Sequence, residues 1–341
     1  MCTRTLYVGS ENLVLTGRGM DWGEDIRTNA WVMPRGMTRQ GLAGPNSLSW
    51  TSTYGSLGFT AYDGGTCDGI NERGLVVNAL YLAEADYGQP DDRPTMTVMT
   101  YPQYVLDHFA SVAEAVDGLK DESFRVVGPL LPNGSPATAH LALSDPTGDS
   151  AIFEYIDGKL VIHHGSEYQV MTNSPTFDEQ LAIATYWKNV DPLTFLPGSV
   201  NAADRFTRAT FLLHAIPTTT DPHVISAVPG GTYQNQAVAS VMSVMRSMGV
   251  PLGIHHPTRP NISSTLWRTV YDHKNLVAYF DSATSPNTFW IPMADLDFSE
   301  GAEVKKLTLV DGPVYSGNAA ANFAPAEPFH VLPAEDPAPA A

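Results

Sequence analysis

Two runs of apolar and β-branched residues interleaved with polar ones, Thr3–Val8 and Leu13–Met20, flank Gly9-Ser10-Glu11-Asn12 and predict a hairpin with a four-residue turn at the start of the chain. Further strand patterns follow in "NAWVMP", "LSWTSTYGSLGFTAY" and "GLVVNALYL". The period then changes. "PQYVLDHF" and "SVAEAVDGLK" read as short helices, the first opened by Pro102 and the second capped by Ser111. A second block of strands, "AHLALSD", "SAIFEYI", "KLVIHH" and "YQVMTN", is broken by the turn signals Pro146-Thr147-Gly148 and Asp157-Gly158. Helical periodicity returns in "TFDEQLAIATYW", "AADRFTRATFLLHAI" and "QNQAVASVMSVMRSM", and the strands "TLWRTVYD", "LVAYFD" and "TFWIPM" follow. Alternating blocks of strands and helices predict an α+β fold with two mostly antiparallel sheets and helices outside them.

Composition narrows the picture. Of 341 residues, 43% are apolar and 16% charged, which describes a compact globular chain with one sizeable core. We expect residues 1–317 to form a single domain, and 318–341, rich in Ala and Pro, to be a tail that is mobile or laid over the surface. Lysine and arginine total 19 against 36 acidic residues, so the net charge of −17 repels nucleic acid. A local arginine can still receive an anionic small molecule, because fields are screened beyond about 8 Å at physiological salt. No run of eighteen apolar residues is present, so no membrane span is expected. Localisation is left open: periplasmic if Met1 replaces a removed signal peptide, cytoplasmic if Met1 is the natural start.

Candidate chemistry begins at the second residue. The chain has two cysteines, Cys2 and Cys67, without the Cys/His spacing that zinc requires, so no metal is expected. If Met1 is removed, Cys2 carries an α-amine with a pKa of about 7.7–8.0 beside a thiol of about 8.5, placing base and nucleophile on one amino acid. Such a nucleophile needs a cation for the thiolate, an anion for the amine and donors for an oxyanion. In "GRGMDWG", Arg18 and Asp21 lie on the strand that pairs back onto Cys2. Simple alternation puts 18 and 21 on opposite faces, so a bulge or twist is expected at Gly17 and Gly19 if both are to reach Cys2.

The ordered motifs "MCTR", "TGRGMDW", "DGINERGL", "MTNSPTFDEQL" and "ADRFTRATF" resemble the choloylglycine hydrolase family, cysteine-type N-terminal nucleophile hydrolases that include penicillin V acylases and bile salt hydrolases. The match runs from Cys2 to about Phe211, with a weaker echo in "NISSTLWRTVYDHKNLVAYF". It implies a four-layer αββα sandwich, no cofactor, and hydrolysis of a small-molecule linear amide. By the same resemblance Cys2 is the nucleophile, Arg18 bonds the thiolate and Asp21 holds the freed amine. Asn173 and the backbone N–H of Tyr81 form the oxyanion hole, and Arg205 steadies the site, with Arg208 a structural neighbour. Tyr81 stands where bile salt hydrolases usually have asparagine and several penicillin V acylases have tyrosine. The short link between Asn173 and Arg205 looks like the Gram-negative-type branch. It weighs against the usual tetramer, although self-association as a dimer or tetramer is still expected.

These features order the functional readings. Penicillin V-like acylase activity comes first, with N-acyl homoserine lactone deacylation close behind. Bile salt hydrolysis is the alternative, and a catalytically silent αββα binding protein is the alternative of another class. Trp22 is either core or a wall of the acyl pocket. Cys67 is expected to be a buried small residue near a sheet edge. His255-His256 reads as a solvated loop and not a metal pair, and the sequon Asn261-Ile262-Ser263 carries little weight.

Overall fold

The computed structural model describes residues 2–191, 195–254, 256 and 263–335. Met1, His255 and the first two residues of the sequon, Asn261 and Ile262, lie outside the described residues. The opening hairpin forms as β1 (Cys2–Val8) and β2 (Val14–Asp21), with the Gly9 N–H donating to the Leu13 carbonyl at 2.9 Å and extending the ladder into the turn. Glu11 and Asn12 close it with φ of 58° and 55°, the left-handed conformation that matches hairpin twist.

Among the described residues, this hairpin lies within a seven-stranded sheet whose order is Val170–Met171, β1, β2, Thr265–Asp272, Val277–Ser282, Thr288–Pro292 and Gly317–Asn318. A nine-stranded antiparallel sheet packs against it, in the order Lys159–His164, Ser150–Ile156, Ala139–Ser144, Val76–Tyr81, Thr66–Asn71, Ser56–Thr60, Ala30–Met33, Lys305–Leu307 and Ala324–Pro325. Helices α1 (Tyr101–His108) and α2 (Val112–Leu119) cover the nine-stranded sheet. Helix α3 (Phe177–Trp187) packs on α4 (Ala202–Ala215), and α4 and α5 (Tyr233–Ser247) cover the seven-stranded one. The result is a four-layer αββα sandwich. The five helices fall where periodicity puts them, and the Ser111 hydroxyl caps α2 by accepting from Glu114 N–H at 3.2 Å.

Four sequence expectations need correction or completion. The strand Thr66–Asn71 is not signalled by "TCDGIN", because its Asp, Gly and Asn depress strand propensity. It forms because its buried polar groups find partners: Asn71 Nδ2 donates to the carbonyls of Leu106 (2.9 Å) and Phe109 (2.8 Å). Cys67 is buried, as expected, but it lies on this interior strand and not near a sheet edge. The bulge expected at Gly17 and Gly19 is also absent from β2, since Cys2↔Met20 and Arg4↔Arg18 stay in unbroken register. The irregularity falls on the facing strand, between Thr265 and Trp267. Gly17 is small for another reason: a Cβ there would sit 2.7 Å from Met245 Cγ, so the glycine admits α5 against the hairpin. Finally, the described part of the Ala/Pro-rich segment lies along both sheets, with Gly317–Asn318 pairing on one and Ala324–Pro325 on the other.

The packing between the sheets makes one pH-dependent prediction. Buried His273 has Nδ1 2.7 Å from the Gly74 carbonyl and Nε2 2.7 Å from Thr16 Oγ1. A carbonyl only accepts, so Nδ1 carries the proton and neutral Nε2 accepts from the hydroxyl. Burial, aided by the Arg4 guanidinium, pushes its pKa from 6.5 down to about 4. The unfolded chain therefore binds a proton that the folded chain refuses. Stability from this group is full above about pH 6.5 and falls as pH drops towards 4, by on the order of 3 kcal/mol. Denaturant titrations at two pH values across that window should show a flatter dependence for His273→Gln than for the parent protein.

Candidate active site

Cys2 begins β1 and lies opposite Met20. Its side chain points between the two sheets and is only 2% exposed, with Sγ 3.9 Å from Met20 Sδ. Arg18 is two residues from Met20 and therefore shares its face, and its Nη2 donates to Cys2 Sγ at 3.7 Å and to the Ala79 carbonyl at 3.2 Å. The guanidinium carbon lies 4.5 Å above the Trp267 ring. Burial alone would lower the pKa of Arg18, yet its charge interactions, with Cys2 first and buried Asp68 among the others, outweigh it and raise the guanidinium above its ordinary value. Arg18 thus stays a cation beside the sulfur. Asp68, on the interior strand Thr66–Asn71, is fully buried and accepts from Thr269 Oγ1 at 2.7 Å and from Asn78 Nδ2. Burial pushes its carboxyl up, while Arg18 pulls it down. Thr269 is also the register partner of Arg18, so the carboxylate stands behind the arginine.

The other side of Cys2 is built from the main chain outward. Strand Val170–Met171 pairs with β1 in a register that, continued, sets Asn173 beside Cys2. The Cys2 N–H donates to Asn173 Oδ1 at 2.5 Å, and Arg205 Nη2 donates to the same oxygen at 2.9 Å. From α4, Arg205 also donates through Nη1 to the Cys2 carbonyl at 2.5 Å and to Thr3 Oγ1 at 2.6 Å. Burial lowers the pKa of this arginine, opposed by Asp21 and Cys2. Asp21 is on the helix-facing side of β2, as alternation requires, and its Oδ1 accepts from Thr265 Oγ1 at 2.5 Å. Opposite faces for Arg18 and Asp21 are therefore not a conflict. The first residue of a strand presents its sulfur to one face while its main chain is reached from the other. Arg208 points elsewhere, donating to the carbonyls of Pro197 and Ser199, both at 2.7 Å.

Tyr81 completes the cluster through its backbone. It is paired with Ala139, but the flanking bond runs from Leu82 N–H to the Thr138 carbonyl at 3.3 Å. In an antiparallel ladder this turns the Tyr81 N–H and C=O away from the strand Ala139–Ser144. The carbonyl receives Asn173 Nδ2 at 2.6 Å, so the N–H on the same side faces the same region. An asparagine amide and a backbone N–H that converge beside a sulfur can hold an oxyanion.

An apolar cavity of about 90 Å³ opens at Cys2 and Arg18, walled by Met20, Trp22, Ile26, Cys67, Val98 and Met99 among others. Trp22 donates from Nε1 to Tyr62 Oη at 2.7 Å and meets Tyr81 edge-on at 6.1 Å. It is thus both buried and a cavity wall. Burial pushes the Cys67 thiol up to about 12 and keeps it neutral, unlike a reactive cysteine.

The six candidate catalytic residues, Cys2, Arg18, Asp21, Tyr81, Asn173 and Arg205, thus fall around the end of one hairpin. Several neighbours went unread in the sequence. Thr265 holds Asp21, Trp267 lies under Arg18, and Gln180 braces the Asn173 turn by donating to the carbonyls of Asn173 and of Pro175 (2.7 Å). Gln180 lies within "MTNSPTFDEQL", and Thr265 and Trp267 within the weaker echo "NISSTLWRTVYDHKNLVAYF", but neither stretch says which site residue they touch. Among the described residues no cluster of three or more His, Cys, Asp or Glu is placed to hold a metal ion, and no helix is long and apolar enough to cross a membrane.

Comparison with known proteins adds a family and two kinds of relative. The family profile of linear amide C–N hydrolases, choloylglycine hydrolase family, matches residues 2–306. A penicillin V acylase of Pectobacterium atrosepticum is 46% identical over 348 aligned positions, covering 96% of this chain and 91% of that protein. Among solved structures, penicillin V acylase from Agrobacterium tumefaciens superposes with a TM-score of 0.87 at 49% identity, covering 97% of this chain and all of the other. A conjugated bile acid hydrolase from Clostridium perfringens superposes with a TM-score of 0.75 at 21% identity, covering 93% of this chain and 99% of the other, a likeness of fold alone.

Proposed function

We propose, because the chain belongs to the choloylglycine hydrolase family of linear amide C–N hydrolases, that Cys2 is its nucleophile once Met1 is removed and that its substrates carry an aryloxyacetyl or fatty acyl group. The observation that carries this reading is the split environment of one residue: Arg18 Nη2 lies 3.7 Å from the sulfur, while Asn173 Oδ1 takes the nitrogen at 2.5 Å. In the proposed reaction the α-amine accepts the thiol proton as sulfur attacks the amide carbonyl carbon. Asn173 Nδ2 and the Tyr81 N–H hold the resulting oxyanion. The C–N bond breaks as the α-ammonium returns its proton to the leaving amine, giving a thioester and a free amine. Water, deprotonated by the same amine, then attacks the thioester and releases the acid and the thiol.

Each remaining residue has a positioning task in this scheme. Arg18 stabilises the thiolate by charge, and Asp21, held by Thr265, offers a carboxylate to the ammonium. Arg205 locks Asn173 Oδ1 and the Cys2 carbonyl in one orientation, which keeps the amide group of Asn173 turned correctly. These tasks need no bound metal or cofactor.

The proposed substrate is a penicillin V-like amide, supported by the likeness to two penicillin V acylases and by aromatic Trp22 and Tyr81 in the cavity wall. The same apolar cavity favours a second reading, deacylation of an N-acyl homoserine lactone. Parallel initial rates on penicillin V, a long-chain acyl homoserine lactone and glycocholate test the order. Penicillin V is expected to be turned over fastest. A glycocholate rate far above the other two would overturn it, and no turnover of any amide would favour a silent binding protein.

A further inference from the structure

A second, larger cavity of about 500 Å³ lies back to back with the one at Cys2. Ile26, which is 5% exposed, lines both. Its backbone is clamped, because the Ile26 carbonyl accepts the Tyr62 N–H at 2.5 Å, and Tyr62 Oη in turn donates to Glu24 Oε1 at 2.5 Å. Trp267 is the other shared boundary. One face lies under the Arg18 guanidinium of the first cavity, while the ring lines the second and its Nε1 donates to Thr28 Oγ1 at 3.0 Å. Beyond Ile26 the floor is aromatic: Trp267 stacks on Phe280 at 5.5 Å, and Phe280 on Phe289 at 4.9 Å. Asp25 and Asp311 also line this cavity.

We propose that the larger cavity is the subsite for the distal part of a straight-chain acyl group, entered from the Cys2 cavity past Ile26, which sets the acyl length. The inference rests on reading the Cys2 cavity as the acyl subsite. Three features favour hydrocarbon as the occupant. The partition is an aliphatic side chain, the floor is a continuous aromatic stack, and the small cavity at the sulfur is itself apolar. The leaving amine is the poorer occupant, since an amine that bears a carboxylate would be repelled by Asp25 and Asp311. The rim also carries Thr28, Ser282, Thr284 and Asn287, but a neutral alkyl chain laid on the aromatic floor meets no charge repulsion, and each methylene it buries there strengthens binding about fourfold.

The test uses a series of straight-chain acyl amides, from four to about twelve carbons on one common amine, with a phenoxyacetyl amide of the same amine as reference. Ile26→Ala lowers the partition and is expected to raise kcat/KM for the longest chains relative to the shortest by about fourfold or more. Ser285→Trp fills the larger cavity from its rim without touching the smaller one. It is expected to lower kcat/KM for the longest chains by about tenfold or more, through lost methylene burial, and to leave the phenoxyacetyl amide unchanged. If Ile26→Ala does not fold, Ser285→Trp alone decides the question. Chain-length profiles that run parallel to the parent in the folded variants would overturn the assignment. Failure of the parent protein on every amide, phenoxyacetyl included, would instead defeat the reading of the Cys2 cavity.

Discussion

Replacing Cys2 by serine is expected to lower kcat/KM for any accepted amide by about a thousandfold or more, with the fold retained. The substitution exchanges sulfur for oxygen on a residue whose other atoms make the contacts that hold it. Its N–H still donates to Asn173 Oδ1 and its carbonyl still accepts from Arg205, so structure is a poor explanation for lost rate. What changes is the ease of making an anion. Arg18 at 3.7 Å can hold a thiolate, whereas a hydroxyl resists ionisation far more strongly than a thiol. Initial rates with matched thermal melts make the comparison, and the mass of the N-terminus shows whether Met1 has been removed. A serine variant with the full rate would sink the nucleophile assignment. Retention of Met1 in active enzyme would remove the free amine from the mechanism.

Asn173→Ala is expected to cost about 10²–10³ in kcat, the usual loss for one oxyanion donor. It should also lower stability by about 1–3 kcal/mol, because the buried side chain serves in three directions. Its Oδ1 accepts from Cys2 N–H and Arg205 Nη2, and its Nδ2 donates to the Tyr81 carbonyl. Truncation strands a fully buried guanidinium without one of its acceptors. Asn173→Asp separates the two effects. It keeps an acceptor for Arg205 and the Cys2 nitrogen but replaces the donor with an oxygen that faces both the Tyr81 carbonyl and the developing negative charge. Chemical denaturation of the aspartate variant should therefore resemble the parent more than the alanine variant does, while kcat stays low. An aspartate variant with parental kcat would show that the Nδ2 group does not serve the oxyanion.

Local pattern explains how much of this site could be foreseen. Cys2, Arg18 and Asp21 are legible because a hairpin brings them together within twenty residues, and the alternation of β2 correctly divides Arg18 from Asp21. That division is not undone by a bulge at Gly17 and Gly19, because the ladder with β1 runs unbroken. Gly17 instead makes room for Met245 of α5, a residue far along the chain with no local relation to it. The interior strand Thr66–Asn71 is illegible in the local pattern for the same reason. Asp68 weakens a strand pattern read alone, yet its partners, Thr269 and Asn78, come from two other strands, one of them in the opposite sheet.

By itself the sequence determined the helices, the first hairpin, the αββα layering through resemblance, and the amide chemistry latent in a cysteine at position 2. These are properties of periodicity and of functional groups, which neighbouring residues carry with them. Only the tertiary structure decided that Thr265 anchors Asp21, that Trp267 lies beneath Arg18, and that Ile26 divides two cavities. Those contacts depend on strand register and on the packing of one sheet against another, which join residues more than two hundred positions apart, and no short-range pattern encodes a distance of that kind.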